Sequence, residues 1–327
     1  MKKTLVALSV LMAASSAHAI ELYSNDTSSV NLKGEVDAFI IGGEVDIEGV
    51  AEKVKADPAV DMWGYIQFDY EHKLSDSVSA FGSFEIESDG NNAVFDDVVA
   101  GINGSFGKFS IGETGDALDA TEKDDITNEA FYGQPGSALE SKGKGVRYQN
   151  SFGGLALSLD AQTTSASEGN EYGISGNYDL GDFEIGAAYQ DGSDGKFVAA
   201  VALSAQLGDL YLATRYSEYE GNGDFDFAGN TDTKVQFASH EGSVIGLAAA
   251  YQMDKTRYYG TYHLIEGDKN AAGDSIDADI NAFTLGVDYA VMSDLLVFAE
   301  YQYAETEGVN VTNADVSAYM LGAYLSF

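Results

Sequence analysis

Between Glu113 and Ser141 the chain carries Glu113, Asp116, Asp119, Glu122, Asp124, Asp125 and Glu129, with one lysine among them before Phe131. Crowded into a narrow aqueous passage, such carboxylates concentrate cations and repel anions, because low-dielectric walls focus their field. Other chemistries find less support. No Gly-x-Ser-x-Gly elbow occurs, and His72, His240 and His263 fall in separate segments, so neither a hydrolase triad nor a zinc set is legible. Asp224, Asp226 and Asp232, and likewise Asp274, Asp277 and Asp279, offer oxygen ligands, but their glycine spacing does not match a calcium loop.

Something must hold the acidic stretch in place. It spans 29 residues without strand patterning inside a chain that is otherwise tightly patterned, and such a connection is usually functional or disordered. Two prolines, 37 glycines, 20 tyrosines and 17 phenylalanines favour strands over helices. Period-two alternation sets Val30, Leu32, Gly34, Val36, Ala38 and Ile40 on one face and Asn31, Lys33, Glu35 and Asp37 on the other. A second run opposes Gly64, Ile66, Phe68 and Tyr70 to Tyr65, Gln67, Asp69 and Glu71. A third opposes Val78, Ala80, Gly82, Phe84 and Ile86 to Ser79, Phe81, Ser83, Glu85 and Glu87.

Runs near 94–103, 106–112, 142–149, 154–163, 171–180, 183–191, 196–205, 209–219, 242–251, 255–266, 278–289, 295–304 and 316–327 bring the total to sixteen. Long or polar connections, the widest at 41–61, 113–141 and 220–241, alternate with very short turns such as Gly181-Asp182 and Leu207-Gly208. That segregation is expected of an antiparallel up-and-down membrane β-barrel, whose turns are short at one end and whose loops are long at the other.

The first three runs place six carboxylates on their polar face, and sixteen strands enclose a space too wide for side chains to fill, so the polar face is assigned to the lumen. Arg147, Arg215 and Arg257 all fall on the polar register of their runs. An arginine facing mid-bilayer lipid costs about 2–4 kcal/mol, so this register suits a membrane barrel, although solvated strands of a soluble protein would show it too.

Residues 1–19 have a basic start, an apolar stretch and Ala17-His18-Ala19, the order of a secretory signal peptide. Its removal leaves 15 basic residues against 53 acidic, a formal charge of −38, which argues against nucleic acid as a partner. There is no cysteine, so an exported chain of this composition holds itself together without disulfides.

Ala100-Gly101-Ile102-Asn103-Gly104-Ser105-Phe106-Gly107-Lys108-Phe109-Ser110-Ile111-Gly112 resembles the strand-turn-strand that precedes the constriction loop of the general-diffusion porins of Gram-negative outer membranes. Val146-Arg147-Tyr148-Gln149-Asn150-Ser151-Phe152-Gly153-Gly154-Leu155 resembles the segment that follows that loop, and Gly322, Leu325 and Phe327 resemble the family's C-terminal assembly signal. With the sixteen runs, the resemblance spans residues 20–327.

It implies a homotrimer of sixteen-stranded barrels in outer-membrane lipid and lipopolysaccharide. In each barrel the third loop, 113–141, folds inward, and small hydrophilic solutes and ions pass by diffusion without a cofactor. It also implies an acidic loop side opposed by a basic wall. The basic candidates here are few: Lys33, Lys142, Lys144 and Arg147, with Glu113 standing where the family tends to be basic. A solute-specific channel remains an alternative, with Trp63, Tyr65, Phe81 and Tyr211 as a sugar-stacking track, as does a barrel with adhesive loops.

Overall fold

The computed structural model describes residues 19–88, 92–130, 133, 135, 145–163, 170–227, 235–270, 272–308 and 313–327, leaving aside the side chains of 194, 222, 224, 226, 227, 235 and 236. The signal-peptide assignment, Lys142, Lys144 and Asp232 lie outside the described residues, as do the side chains of Asp224 and Asp226.

Seventeen antiparallel strands form one sheet. They are β1 (Ile20–Ser24), β2 (Ser28–Ile47), β3 (Val54–Ser75), β4 (Val78–Ser88), β5 (Ala93–Gly104), β6 (Gly107–Gly112), β7 (Gly145–Phe152), β8 (Leu155–Thr163), β9 (Asn170–Asp179), β10 (Phe183–Asp191), β11 (Phe197–Leu207), β12 (Leu210–Phe227), β13 (Val235–Met253), β14 (Thr256–Lys269), β15 (Ser275–Met292), β16 (Leu295–Glu307) and β17 (Ala314–Ser326). Each strand from β2 onward pairs with its successor, and β17 returns to β2 from Ala314↔Ile47 to Ser326↔Glu35, which closes a ring of sixteen. Closure removes the free edges that would otherwise seek partners.

The sixteen runs read from the alternation correspond to β2–β17. β1 is additional. It pairs with β2 from Ile20↔Leu32 to Ser24↔Ser29, directly beyond the point where Phe327 and Gly34 exchange backbone hydrogen bonds of 2.9 and 2.8 Å. The 41–61 connection is also shorter than the sequence suggested. β2 and β3 run on through a register shift after Ile41, which absorbs Pro58 without ending the strand. At the opposite end two-residue turns suffice, because Gly208 (φ 64°) takes the left-handed backbone that such a hairpin needs at little steric cost.

The face assignment follows the register. Val60, Leu285, Leu321 and Leu325 point outward and are exposed, as a lipid-facing surface requires. Arg147, Arg215 and Arg257 point inward and are buried. Exposed tyrosines stand near both rims, Tyr172 and Tyr189 towards the long loops and Tyr178, Tyr251, Tyr258 and Tyr289 towards the short turns. Such residues suit the membrane–water interface because one end of the ring is apolar and the other is wet.

The interior is not uniformly polar. Towards the long-loop end, Tyr219, Phe225 and Phe237 of the β12–β13 hairpin pack with Val45, Val244, Ile265, Ile280 and Val316 into a buried apolar cluster. Phe225 lies 5.8 Å from the ring of Tyr219 and 5.9 Å from that of Phe237. The described part of the 220–241 connection is therefore strand, and its aromatic residues Phe225 and Phe237 join this buried cluster.

Candidate functional site: the lumen and its inner loop

After β6 the chain turns into the barrel. Asp116 caps a short 3-10 turn over Ala117–Thr121, its Oδ1 accepting from the Leu118 N–H at 2.8 Å. This turn lies against β8–β11. The approach is so close that a Cβ on Gly186 would stand 2.1 Å from the Ala120 carbonyl oxygen, and one on Gly173 would stand 2.7 Å from Ala117 Cβ. Lumen-facing positions in this region are accordingly small: Ala188, Ala200, Ala202 and Ala213 are buried. In a wide water-filled barrel nothing would demand small side chains; a backbone packed on the wall does.

From the turn onward and at its approach, wall side chains tie the loop down in succession. Arg147 Nη1 donates to Asp119 Oδ2 at 2.8 Å and to the Thr114 carbonyl at 3.0 Å. Lys123 pairs with Glu184, and its carbonyl accepts from the Tyr211 hydroxyl at 2.7 Å. Asp124 has no exposed side-chain surface. It takes a two-pronged bond from Arg215, Nε to Oδ1 at 2.8 Å and Nη2 to Oδ2 at 3.1 Å, with His263 Nε2 3.2 Å from Oδ2. Arg257 Nη1 then donates to the Ile126 carbonyl at 2.9 Å, while its Nε donates to Asp288 at 2.8 Å.

The last anchor is Glu300 on β16. Its Oε1 accepts from the Asn128 N–H at 2.6 Å, and its Oε2 accepts from Glu129 and Ala130 at 2.8 and 2.9 Å. The Tyr259 hydroxyl donates to Glu300 Oε1 at 2.8 Å and accepts from Asn128 Nδ2 at 2.8 Å. Tyr324 closes the row by donating to Glu129 Oε1 at 2.6 Å. The described anchors thus run from β7 round to β17, and the described part of the loop lies along that side of the wall.

Charge follows this geometry. Burial acts to raise the Asp124 carboxyl, but the charge of Arg215 and the hydrogen bonds from His263 and Arg215 outweigh it and hold the group well below the usual carboxylate range. Asp116 has no such partner of its own. Burial, and next the charge of Asp119, push it up to about 7 against the hydrogen bond from Leu118. Glu113 is turned away towards β5, where its Oε2 accepts from the Val98 N–H at 2.8 Å and its carboxylate gathers with those of Asp96 and Asp97. Glu122 is buried and Asp125 half-buried in the loop.

The expected opposition of acidic loop and basic wall therefore needs correction at Arg147; of the other basic-wall candidates, Lys33 stands on β2, and Lys142 and Lys144 lie outside the described residues. Arg147 does not face the loop acids across an opening; it is bonded to Asp119 on the loop's own side. Arg215, Arg257, Tyr259, Glu300 and Tyr324 were not legible as loop anchors. The signal available was slight: Arg215 stands between the small inward residues Ala213 and Ser217, while Arg257, Tyr259 and Glu300 stand in rows of larger inward side chains such as His263, Phe298 and Gln302.

Across the barrel, the inward face of β2–β5 is carboxylate-rich. Cross-strand pairing builds it in rows, Asp37–Trp63, then Glu35–Tyr65–Glu87, then Lys33–Gln67–Glu85–Asp96, then Asn31–Asp69–Ser83. Lys33 stands 3.9 Å from Asp69, and Lys108 lies 4.8 Å from the centre of the Phe81 ring. Ser83 Oγ donates to Asp69 at 2.7 Å, and Ser326 Oγ donates to Glu35 at 2.6 Å.

A family model described as Gram-negative porin matches residues 6–309. The chain belongs to the Gram-negative porin family. This porin is 25% identical over 308 residues to outer membrane protein U of Vibrio parahaemolyticus, covering 86% of each chain. It is 24% identical over 366 residues to a monosaccharide porin of a Halomonas species, covering 94% of this chain and 96% of the other. Among solved structures it superposes on OmpF of Salmonella typhi, determined in complex with daunomycin, with a TM-score of 0.74. The match has 20% identity and covers 94% of this chain and 100% of that one, a likeness of fold. The porin is an outer-membrane channel for passive diffusion and not an enzyme.

Proposed function

We propose that this porin is a cation-preferring general-diffusion channel whose selectivity is set by the β2–β5 wall, with the 113–141 loop acting as a filler that narrows the passage towards that wall. The observation that carries this reading is the uneven fate of the carboxylates. Asp119 and Asp124 are matched by Arg147 and by Arg215 with His263, and Glu129 is held by Tyr324. Among the described residues, the facing wall sets Glu35, Asp37, Asp69, Glu85, Glu87 and Asp96 against Lys33, with Lys108 at its edge. Fixed negative charge on one side of a low-dielectric tube raises the local cation concentration.

The remaining parts of the reading follow the family. Residues 1–19 serve as a cleaved signal peptide, three barrels associate as a homotrimer, and Gly322, Leu325 and Phe327 take part in assembly among outer-membrane lipid and lipopolysaccharide. A monosaccharide channel is the second reading, favoured by the name of the Halomonas relative and by the Trp63–Tyr65 ring pair.

The test is the reversal potential of purified channels in a KCl gradient. A cation-positive potential is expected in the wild type. Exchanging Glu35, Glu85 and Glu87 together for Gln should collapse it towards zero. Anion preference in the wild type overturns the reading.

A further inference from the structure

The water-facing surface of β3 carries two aromatic rings where alternation leads one to expect polar groups. Trp63, the sole tryptophan of the chain, and Tyr65 project from the same face, their ring centres 5.2 Å apart at 47°. The other two rings of the candidate aromatic track are committed elsewhere, Phe81 beneath Lys108 and Tyr211 to the Lys123 carbonyl. Among the described residues, neither the Trp63 indole N–H nor the Tyr65 hydroxyl has a hydrogen-bond partner.

The pair also stands within the acidic rows. Asp37 is the cross-strand partner of Trp63, and Glu35 and Glu87 flank Tyr65 on either side. One row on, Glu85 pairs with Gln67. Aromatic faces ringed by carboxylates suit one ligand chemistry best. A positive head with a thin hydration shell, such as an alkylated ammonium or a guanidinium, gains from the ring quadrupole and from the surrounding negative charge together. A small inorganic cation keeps its water shell and gains chiefly from the charge. A neutral sugar gains from the rings but leaves the carboxylates unneutralised.

We infer that Trp63 and Tyr65, with Asp37, Glu35 and Glu87 around them, form a binding subsite for organic cations on the path of diffusing solutes. The inference rests on the cation-preferring reading of this wall and adds a ligand class to it. Residence at the subsite slows such a solute within the channel, so organic cations block transiently while potassium passes.

Single-channel recording in KCl with tetraethylammonium as the probe tests this. In the wild type, block should rise and saturate with probe concentration. Trp63→Leu with Tyr65→Leu should weaken it by about 2- to 30-fold, the span of cation–π contacts from exposed to desolvated settings. Potassium-over-chloride preference should be unchanged in that variant, because every wall carboxylate remains. Tyr65→Phe, which keeps a ring, should retain block and controls for folding. Undiminished block in the double Leu variant with Tyr65→Phe also normal overturns the subsite, as does ring-dependent block by glucose without block by tetraethylammonium. Loss of potassium preference in the wild type overturns the parent reading separately.

Discussion

Replacing Arg215 by Met strips the buried Asp124 carboxylate of its two-pronged partner while keeping much of the side-chain volume. Both groups are essentially sealed from water, at 1% and 0% exposure. Removing one member of such a pair typically costs about 3–5 kcal/mol, because the surviving charge has neither solvent nor counter-ion. The hydrogen-bond contact of His263 Nε2, 3.2 Å from Asp124 Oδ2, remains and offsets part of this, which places the cost near the lower bound. At about 3 kcal/mol the docking equilibrium of the surrounding loop shifts on the order of a hundredfold. The Arg147, Arg257 and Glu300 anchors remain, so release should be confined to the neighbourhood of residues 121–126.

Hydrogen–deuterium exchange of the refolded barrel, read on peptides spanning 116–130, should show faster exchange there and little change in β14 or β16. Combining Arg215→Met with Asp124→Leu removes the charge pair altogether. That double variant should recover most of the protection, since an apolar replacement of a buried ion pair is commonly neutral or better. Unchanged exchange in Arg215→Met refutes the reasoning. So does a double variant as loosely held as the single one, because the cost would then not come from the stranded carboxylate.

Two further outcomes follow from the same contacts. Gly186→Val should displace the 3-10 turn, because even its Cβ would meet the Ala120 carbonyl oxygen at 2.1 Å, and single-channel conductance should depart measurably from wild type in a barrel of unchanged far-UV circular dichroism. Loop docking should also weaken as pH rises. Asp116 is pushed up to about 7, whereas an unfolded aspartate titrates at about 3.9, so the docked loop binds the extra proton between those values. The stabilisation is complete below about pH 4 and is lost as pH climbs through 7. Exchange protection of 116–121 at pH 5 and pH 8, extrapolated to a common intrinsic rate, should differ in the wild type and converge in Asp116→Asn.

Strand number and lumen polarity were legible because a sheet has period two and a lipid-facing side tolerates few charges. Val36 and Ile40 point out and Glu35 and Asp37 point in, as the alternation of the first run requires. Where the alternation is broken the sequence misleads. Gly42, Gly43 and Pro58 read as turn residues, yet β2 and β3 continue past them through a bulge. The acidic loop could be located along the chain, but the part of the wall it lies against could not, because periodicity reports which face a residue takes and not what stands opposite. A faint trace was present all the same. Gly173, Gly186, Ala188, Ala200 and Ala202 occupy inward positions where a water-filled pore would accept any polar residue, and their smallness records the backbone pressed against them.

Among the described residues the inner loop is anchored from β7 round to β17, and on the proposed reading the carboxylates of β2–β5 bear on the passage from the remaining side. A solute passing through feels its strongest field from one side, transverse to its travel. A zwitterion such as an amino acid would therefore turn as it crosses, its ammonium end towards β2–β5 and its carboxylate towards the loop-lined side. On the proposed reading of this wall, solutes of equal size and zero net charge should then differ in permeability according to the separation of their poles, which liposome-swelling rates of amino acids of graded length would check.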